Sequence, residues 1–224
     1  MDLWVERCQN IFMSELIPIF PLEAVVFPGE ELNLHIFEPR YKQLINACSE
    51  SKAPFGIPTV LDQNTGELGT LVELKEIVNV EADGQMDIRT QGLKVFRIRE
   101  LMKLYPGKLY SGALVDYVSQ AEVLTSVAAS PLPSGLLADF KKLHGLLKVE
   151  KKFSKAEEGL TSFDLAHHVG LTLKQEFELL GMSDESARQE FLRYHLHQVL
   201  QVVIQMESLK EKIKLNGHFK KLSS

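Results

Sequence analysis

Residues 19–41 read IFPLEAVVFPGEELNLHIFEPRY, and this stretch decides how the amino-terminal half is built. Pro21 and Pro28 hold the residue before each of them in extended backbone, which directs the rings of Phe20 and Phe27 inward. Pro28-Gly29 punctuates the chain, and Leu32-Asn33-Leu34-His35-Ile36 then alternates as a half-buried strand does. From Glu38 to Ser49 the period changes. Tyr41, Leu44, Ile45 and Cys48 recur at three- and four-residue steps, and Pro39 fits a first helical turn. Glu38 lies at the positive end of that helix, placed to pair with Arg40 or Arg97.

Working outward, strands flank this unit. Leu16 to Phe20 is a short apolar run that Pro18 demotes to an edge strand. Phe55 to Leu61 is apolar, and Gln63-Asn64-Thr65-Gly66 reads as a turn. A bulge or a bend is expected near Glu76 in the run that carries Val72, Leu74, Val78 and Val80. Asp83-Gly84 signals a tight hairpin, and Pro106-Gly107 a turn between strands at Leu93–Leu104 and Leu109–Val118. Gly56, Gly69 and Gly92 mark bends or close backbone approach. Short strands at regular spacing predict a closed or strongly curved antiparallel sheet.

After Ser119 the period becomes helical. Ser134 is a candidate cap for a helix carrying Leu136, Leu137, Phe140, Leu143 and Leu147. Ser162 is a candidate cap for a short helix through Val169. Thr172 with Gln175 forms a capping box for a helix that Gly181 stops as a left-handed residue. A last helix from Asp184 to Ile213 carries one seam: Leu192, Leu196, Val199, Val203, Met206, Leu209 and Ile213. At ~1.5 Å per residue it is roughly 45 Å long, more than its short neighbours can cover. Met206, Leu209 and Ile213 are therefore expected to be half-exposed, or to pair weakly with a second copy.

The expected fold class is α+β. Residues 1–13 form a flexible leader, with Met13 an alternative start, and 14–118 an antiparallel β-barrel subdomain with one helix. A connector spans 119–134, an all-α subdomain 135–215, and a disordered tail 216–224.

With 25 Lys+Arg against 30 Asp+Glu the formal charge is −5, which disfavours a nucleic-acid backbone as partner. No apolar run approaches the ~20 residues of a membrane span. The start of the chain lacks the basic and apolar regions of a signal peptide, so the cytoplasm is the expected compartment. Two cysteines, Cys8 and Cys48, make neither a zinc site nor a disulfide framework, and Cys48 on an apolar helix face reads as an inert thiol. His167-His168 and His195-x-His197 diverge on a helix, so no metal site is expected. The 224 residues contain no phosphate-binding P-loop, no dinucleotide fingerprint, no H-E-x-x-H and no nucleophile elbow. Neither catalysis nor a cofactor is expected.

The constellation of residues 19–22, 26–30 and 34–41, followed by Phe55-Gly56-Ile57, Gly69-Thr70, Asp83-Gly84 and Gly92 to Phe96-Arg97, resembles the N-terminal, substrate-binding domain of the ATP-dependent protease Lon. That family has a PUA-like β-barrel. The motif-rich match covers about 16–118, and Leu179-Leu180-x-x-Ser183-Asp184-x-x-x-Arg188 with the long helix is similar to the helical part that trails the barrel. The sequence departs from the family at Lys94-Val95, where a basic pair is usual, and its 224 residues are expected to hold neither the ATPase nor the Ser–Lys protease domain.

The resemblance implies a non-catalytic module that binds unfolded or client polypeptides in protein quality control, with full-length Lon protease a further expected partner. Its motif offers Phe20, Phe27, His35, Phe37, Glu38, Arg40 and Tyr41 as binding residues, and the last helix adds Met206, Leu209 and Ile213. Other classes differ in their readouts. An RNA or small-ligand binder on the same barrel would show salt-dependent RNA retention or a ligand pocket, and a hydrolase would lose activity with one Ser, Cys or His.

Overall fold

The computed structural model describes residues 14–118, 131–153 and 155–219, the last six of these as backbone only. The chain forms two compact units, residues 1–120 and 121–224.

In the first unit the element order is β1 (Glu15–Pro18), β2 (Glu31–Ile36), α1 (Pro39–Ser51), β3 (Phe55–Leu61), β4 (Asn64–Val80), β5 (Met86–Met102) and β6 (Gly112–Tyr117). All pairings between these strands are antiparallel, in the order β1-β6-β5-β4-β3, with β2 on β5. Closure comes from the segment the prolines hold extended. Ile19 and Leu22 bridge in parallel to Gly56 and Thr59 of β3. The Phe20 N–H donates to the Gly56 carbonyl at 2.8 Å, and the Val60 N–H to the Leu22 carbonyl at 2.7 Å. The sheet therefore returns on itself as a barrel. β5 is long enough to serve two partners on one edge, β2 over Met86–Gln91 and β6 over Phe96–Met102.

Helix α1 seats Tyr41, Leu44, Ile45 and Cys48 in a cluster with Phe20, Val26, Ile36, Phe55 and Ile88. A second cluster joins Ile17, Ile19, Leu71, Phe96, Ala113 and Val115. Gly92 marks a close approach. A Cβ there would stand 2.2 Å from the Phe27 carbonyl oxygen, a backbone atom that cannot step aside. Gly92→Ala is expected to destabilise the barrel by about 1–3 kcal/mol in urea melts, since the extra carbon forces the two segments apart.

Four local expectations need correction in this unit. The turn after β3 is Asp62-Gln63, both at positive φ, two residues before the composition cluster. The bulge between Leu74 and Glu76 is present, but another follows between Ile77 and Asn79. The first bulge turns Ile77 toward the core and Val78 outward, and Val80 at the end of β4 is exposed. Asp83-Gly84 sits in a five-residue loop, Glu81–Gln85, closed by the Glu81 N–H to the Gln85 carbonyl at 2.7 Å. The Asp83 side chain accepts from the Gln85 N–H and widens the turn beyond two residues. β5 runs unbroken through Gly92. The Pro106-Gly107 turn is present: Gly107 has φ +71° and the Lys108 N–H reaches the Tyr105 carbonyl at 2.9 Å.

The second unit is helical among its described residues: α2 (Ser134–Leu147), a 3-10 turn at Glu157–Gly159, α3 (Ser162–Ala166), α4 (Leu173–Gly181) and α5 (Glu185–Phe219). α2 and α3 pack on α5. On α2, Leu136, Phe140 and Leu143 are buried, while Leu137 is half-buried and Leu147 exposed, so the stripe is narrower than the sequence suggested.

The caps also shift. Pro133, not Ser134, precedes α2, a proline being suited to the entry of a helix. Thr161, not Ser162, caps α3 through a box with Asp164 and frees Ser162 for another bond; α3 ends at Ala166. The Thr172–Gln175 box is present, but α4 includes Gly181 and exits through extended Met182. α5 starts one residue later than expected, with Asp184 accepting from the Ala187 N–H at 2.7 Å. It continues to Phe219, into the stretch expected as a disordered tail, because the Lys- and Leu-rich turns before it propagate helix well. The leader at 1–13, most of the connector (119–130) and the end of the tail (220–224) lie outside the described residues. Among the described residues no helix is long and apolar enough to cross a membrane.

Candidate functional site

The family motif splits between interior and surface. Phe20, Phe27 and Tyr41 are buried, with Phe27 1% exposed; the rings of Phe20 and Tyr41 meet at a tilt, 4.3 Å between centroids. These three belong to the buried core and offer little to a partner. His35, Phe37 and Arg40 are exposed and Glu38 is half-buried, and they sit where β2 runs into α1.

Phe37 is 59% exposed, and its ring lies 6.2 Å from that of His35. Glu38 pairs with Arg40 at 2.8 Å, and Arg40 covers the outer face of the Tyr41 ring at 4.5 Å. Arg97, the alternative partner for Glu38, instead pairs with Glu67 at 2.6 Å. Lys94, at the family's altered basic pair, stands over Tyr117 at 3.3 Å, while Val95 is buried.

His35 is held from both ring nitrogens. Nδ1 lies 2.8 Å from an Asp87 carboxylate oxygen and Nε2 2.9 Å from the Gln85 amide oxygen. Gln85 is oriented by donating its own amide N–H to Asp83. Lys42 of α1 donates to the Asp83 carbonyl at 3.0 Å. The β4–β5 loop is thus tied to β2 and to α1. A neutral imidazole has one N–H for two facing oxygens, so the protonated ring fits better. The hydrogen bond to Asp87, then that to Gln85, raises the His35 pKa above the ordinary 6.5, and the same contact lowers that of Asp87.

The sign follows from the raised value. Stability from protonated His35 is complete below pH 6.5 and is lost as pH rises through the higher folded value. In an NMR titration the His35 ring is expected to have a midpoint above 6.5, and Asp87→Asn to bring it back down. An unchanged midpoint in the variant would show that Asp87 does not hold the ring.

Beside these residues lies a shallow depression of about 380 Å³, lined by Asn33, Leu34, His35, Val78, Asp87, Ile88 and Arg89. Its charged groups are already engaged: Asp87 with His35, and Arg89 with Glu76 at 3.2 Å. Burial pushes the Cys48 thiol up to about 11, which keeps it un-ionised and inert. His167 bonds Glu176, His195 the Val169 carbonyl and His197 Gln201. No group of His, Cys, Asp and Glu able to hold a metal occurs among the described residues.

On the last helix, Leu192, Leu196 and Leu200 are buried, and Met206, Leu209 and Ile213 are 54%, 58% and 63% exposed. α5 has 35 residues, roughly 52 Å at ~1.5 Å per residue, against 14 residues and roughly 21 Å for α2. The seam outlasts its cover.

Sequence reasoning missed a buried polar knot at the start of α5. The Glu185 carboxylate accepts from the Ser162 N–H at 2.8 Å, the Ser162 hydroxyl at 2.7 Å and the Arg188 guanidinium at 2.8 Å. Gln189 adds a fourth donor at 3.0 Å. A signal was present. Extending the seam back from Leu192 by three, four and seven residues places Gln189, Arg188 and Glu185 on its buried face.

The model of the family described as the ATP-dependent protease La (LON) substrate-binding domain matches residues 16–198. Among solved structures, a Lon N-terminal domain protein from Xanthomonas campestris superposes with a TM-score of 0.59 at 22% identity, covering 84% of this chain and 98% of that one. The N-terminal domain of Lon protease from the Mycobacterium avium complex superposes with a TM-score of 0.57 at 16% identity, covering 82% and 98%. At these identities the two structures show a shared fold. Because the family model spans well over half of its residues, the chain belongs to the Lon substrate-binding domain family.

Proposed function

We propose that this chain is a non-catalytic polypeptide-binding module that takes up unfolded or exposed protein segments in cytoplasmic protein quality control. The observation that carries the reading is membership of a family named for substrate binding, across residues 16–198. The surface chemistry agrees with it. Exposed Phe37, Val78 and Val80 sit among groups whose charges are mutually satisfied, which suits shallow burial of apolar side chains. The proposal extends to two partners: a full-length Lon protease that acts on what this module holds, and a second copy that pairs weakly along Met206, Leu209 and Ile213.

The test is an array of overlapping peptides from a denatured protein, probed with the purified chain with and without ATP. Apolar, extended peptides are expected to retain the chain equally in both conditions. Retention by RNA in a salt-dependent manner, with no peptide bound, would overturn the reading. For the second partner, sedimentation of wild type beside a Leu209→Glu, Ile213→Glu double variant decides. Concentration-dependent mass in the wild type alone supports pairing, and monomers in both end it.

A further inference from the structure

We propose that the outer edge of β2 is the docking site for an extended client segment, which joins the sheet as an added strand through main-chain hydrogen bonds. This deepens the polypeptide-binding reading and rests on it.

The ladder fixes which main-chain groups are free. The Gly92 N–H donates to the Glu30 carbonyl at 2.8 Å, and the register then runs without a shift from Glu31 opposite Gln91 to Ile36 opposite Met86. Alternation along an antiparallel pair turns the N–H and C=O groups of Leu32, Leu34 and Ile36 toward β5. Those of Glu31, Asn33 and His35 point away. No described strand or bridge pairs with that edge.

A second open edge in the same sheet provides a contrast. β4 runs on past its last partner on β3, where Phe55 faces Val72. Beyond that point it carries register shifts at Leu74/Glu76 and Ile77/Asn79, together with Glu73, Lys75 and Glu76. Bulges and charges of this kind block strand addition. β2 has no bulge, proline or lysine; Glu31 at its start is its one charged residue apart from the titratable His35. One edge is guarded and the other is left available.

Charge and shape define the occupant. Among the described residues Glu31, at the start of the edge, and Glu81, close enough to His35 to raise its pKa, have no ion pair. Phe37 stands exposed at the far end. The site therefore fits a segment of about six residues, roughly 20 Å long, with apolar side chains and basic flanks.

The probe is a fluorescent peptide of alternating valine and threonine with a lysine at each end, paired with its fully N-methylated counterpart. Wild type is expected to bind the parent peptide and to bind the methylated one roughly tenfold or more weakly, because the side chains are kept and the donors lost. Asn33→Pro removes an outward N–H without touching the β5 ladder and should weaken the parent peptide comparably. If that variant fails to fold, the peptide pair on wild type decides alone.

Equal binding of both peptides overturns the edge proposal. So does capture of an unfolded protein, reduced carboxymethylated α-lactalbumin, without the parent peptide; in both cases the polypeptide-binding reading stands. Failure to bind either peptide or the unfolded protein overturns both. Loss of self-association in Asn33→Pro with peptide binding unchanged assigns the edge to a second copy and also overturns the proposal.

Discussion

Arg188→Met is expected to destabilise the helical unit by about 3–5 kcal/mol, because it strands a buried carboxylate. Arg188 and Glu185 are 2% and 1% exposed. The guanidinium donates to Glu185, to the Ser162 hydroxyl at 3.0 Å and to the Met182 carbonyl, and it lies 4.3 Å from the centre of the Phe163 ring. It thereby joins three elements: α3 through Ser162, the exit of α4 through Met182, and α5. Methionine keeps an unbranched apolar stem but supplies no charge and none of the donors. Replacing both partners, as Glu185→Leu with Arg188→Met, should cost less than the single change, since no lone charge remains inside. Urea melts followed by far-UV ellipticity, which the helices dominate, measure both. A single variant as stable as wild type would show that the pair contributes nothing net.

Phe96→Ala is expected to cost the barrel about 3–5 kcal/mol through the cavity it leaves. Phe96 is fully buried at the centre of the cluster formed by Ile17, Ile19, Leu71, Ala113 and Val115. Two glycines make room for its ring. A Cβ on Gly69 would stand 2.6 Å from the ring's Cζ, and one on Gly56 2.9 Å from it. Closed strands cannot collapse into the space, so the loss should approach the full value, and Phe96→Leu should lose less. The urea midpoint falls while the slope holds if the variant keeps the native fold. An unchanged midpoint would mean that the ring is not part of the barrel's core.

How much of this was legible in the sequence depends on whether the cause is local. The spacing of Tyr41, Leu44, Ile45 and Cys48 located α1 and its buried face, because helical period and burial are one signal. The Thr172–Gln175 box and the Pro106-Gly107 turn rest on contacts within a few residues, and they were readable too. The loop at Glu81–Gln85 was not, since Asp83 rewires it through its side chain. Val78 could not be placed because the bulge at Leu74/Glu76 reverses the facing of the residues after it.

For the surface, the motif mixed two roles. Phe20, Phe27 and Tyr41 build the core from which His35 and Phe37 project. What holds His35 arrives from Asp87 and Gln85, across a strand pairing that no local pattern reveals. The knot at Glu185 and Arg188 was overlooked because charge was read as solvent-facing, although the seam's own phase puts both inside.

The proposed function requires that this chain hold unfolded polypeptide without cutting it. Anisotropy of labelled, reduced carboxymethylated α-lactalbumin titrated with the chain, with intact mass of the probe read at the end and with and without ATP, tests that most directly. Saturable binding is expected, absent for native α-lactalbumin and indifferent to ATP, with the probe recovered whole. Cleavage of the probe, or no binding at tens of micromolar chain, would contradict it.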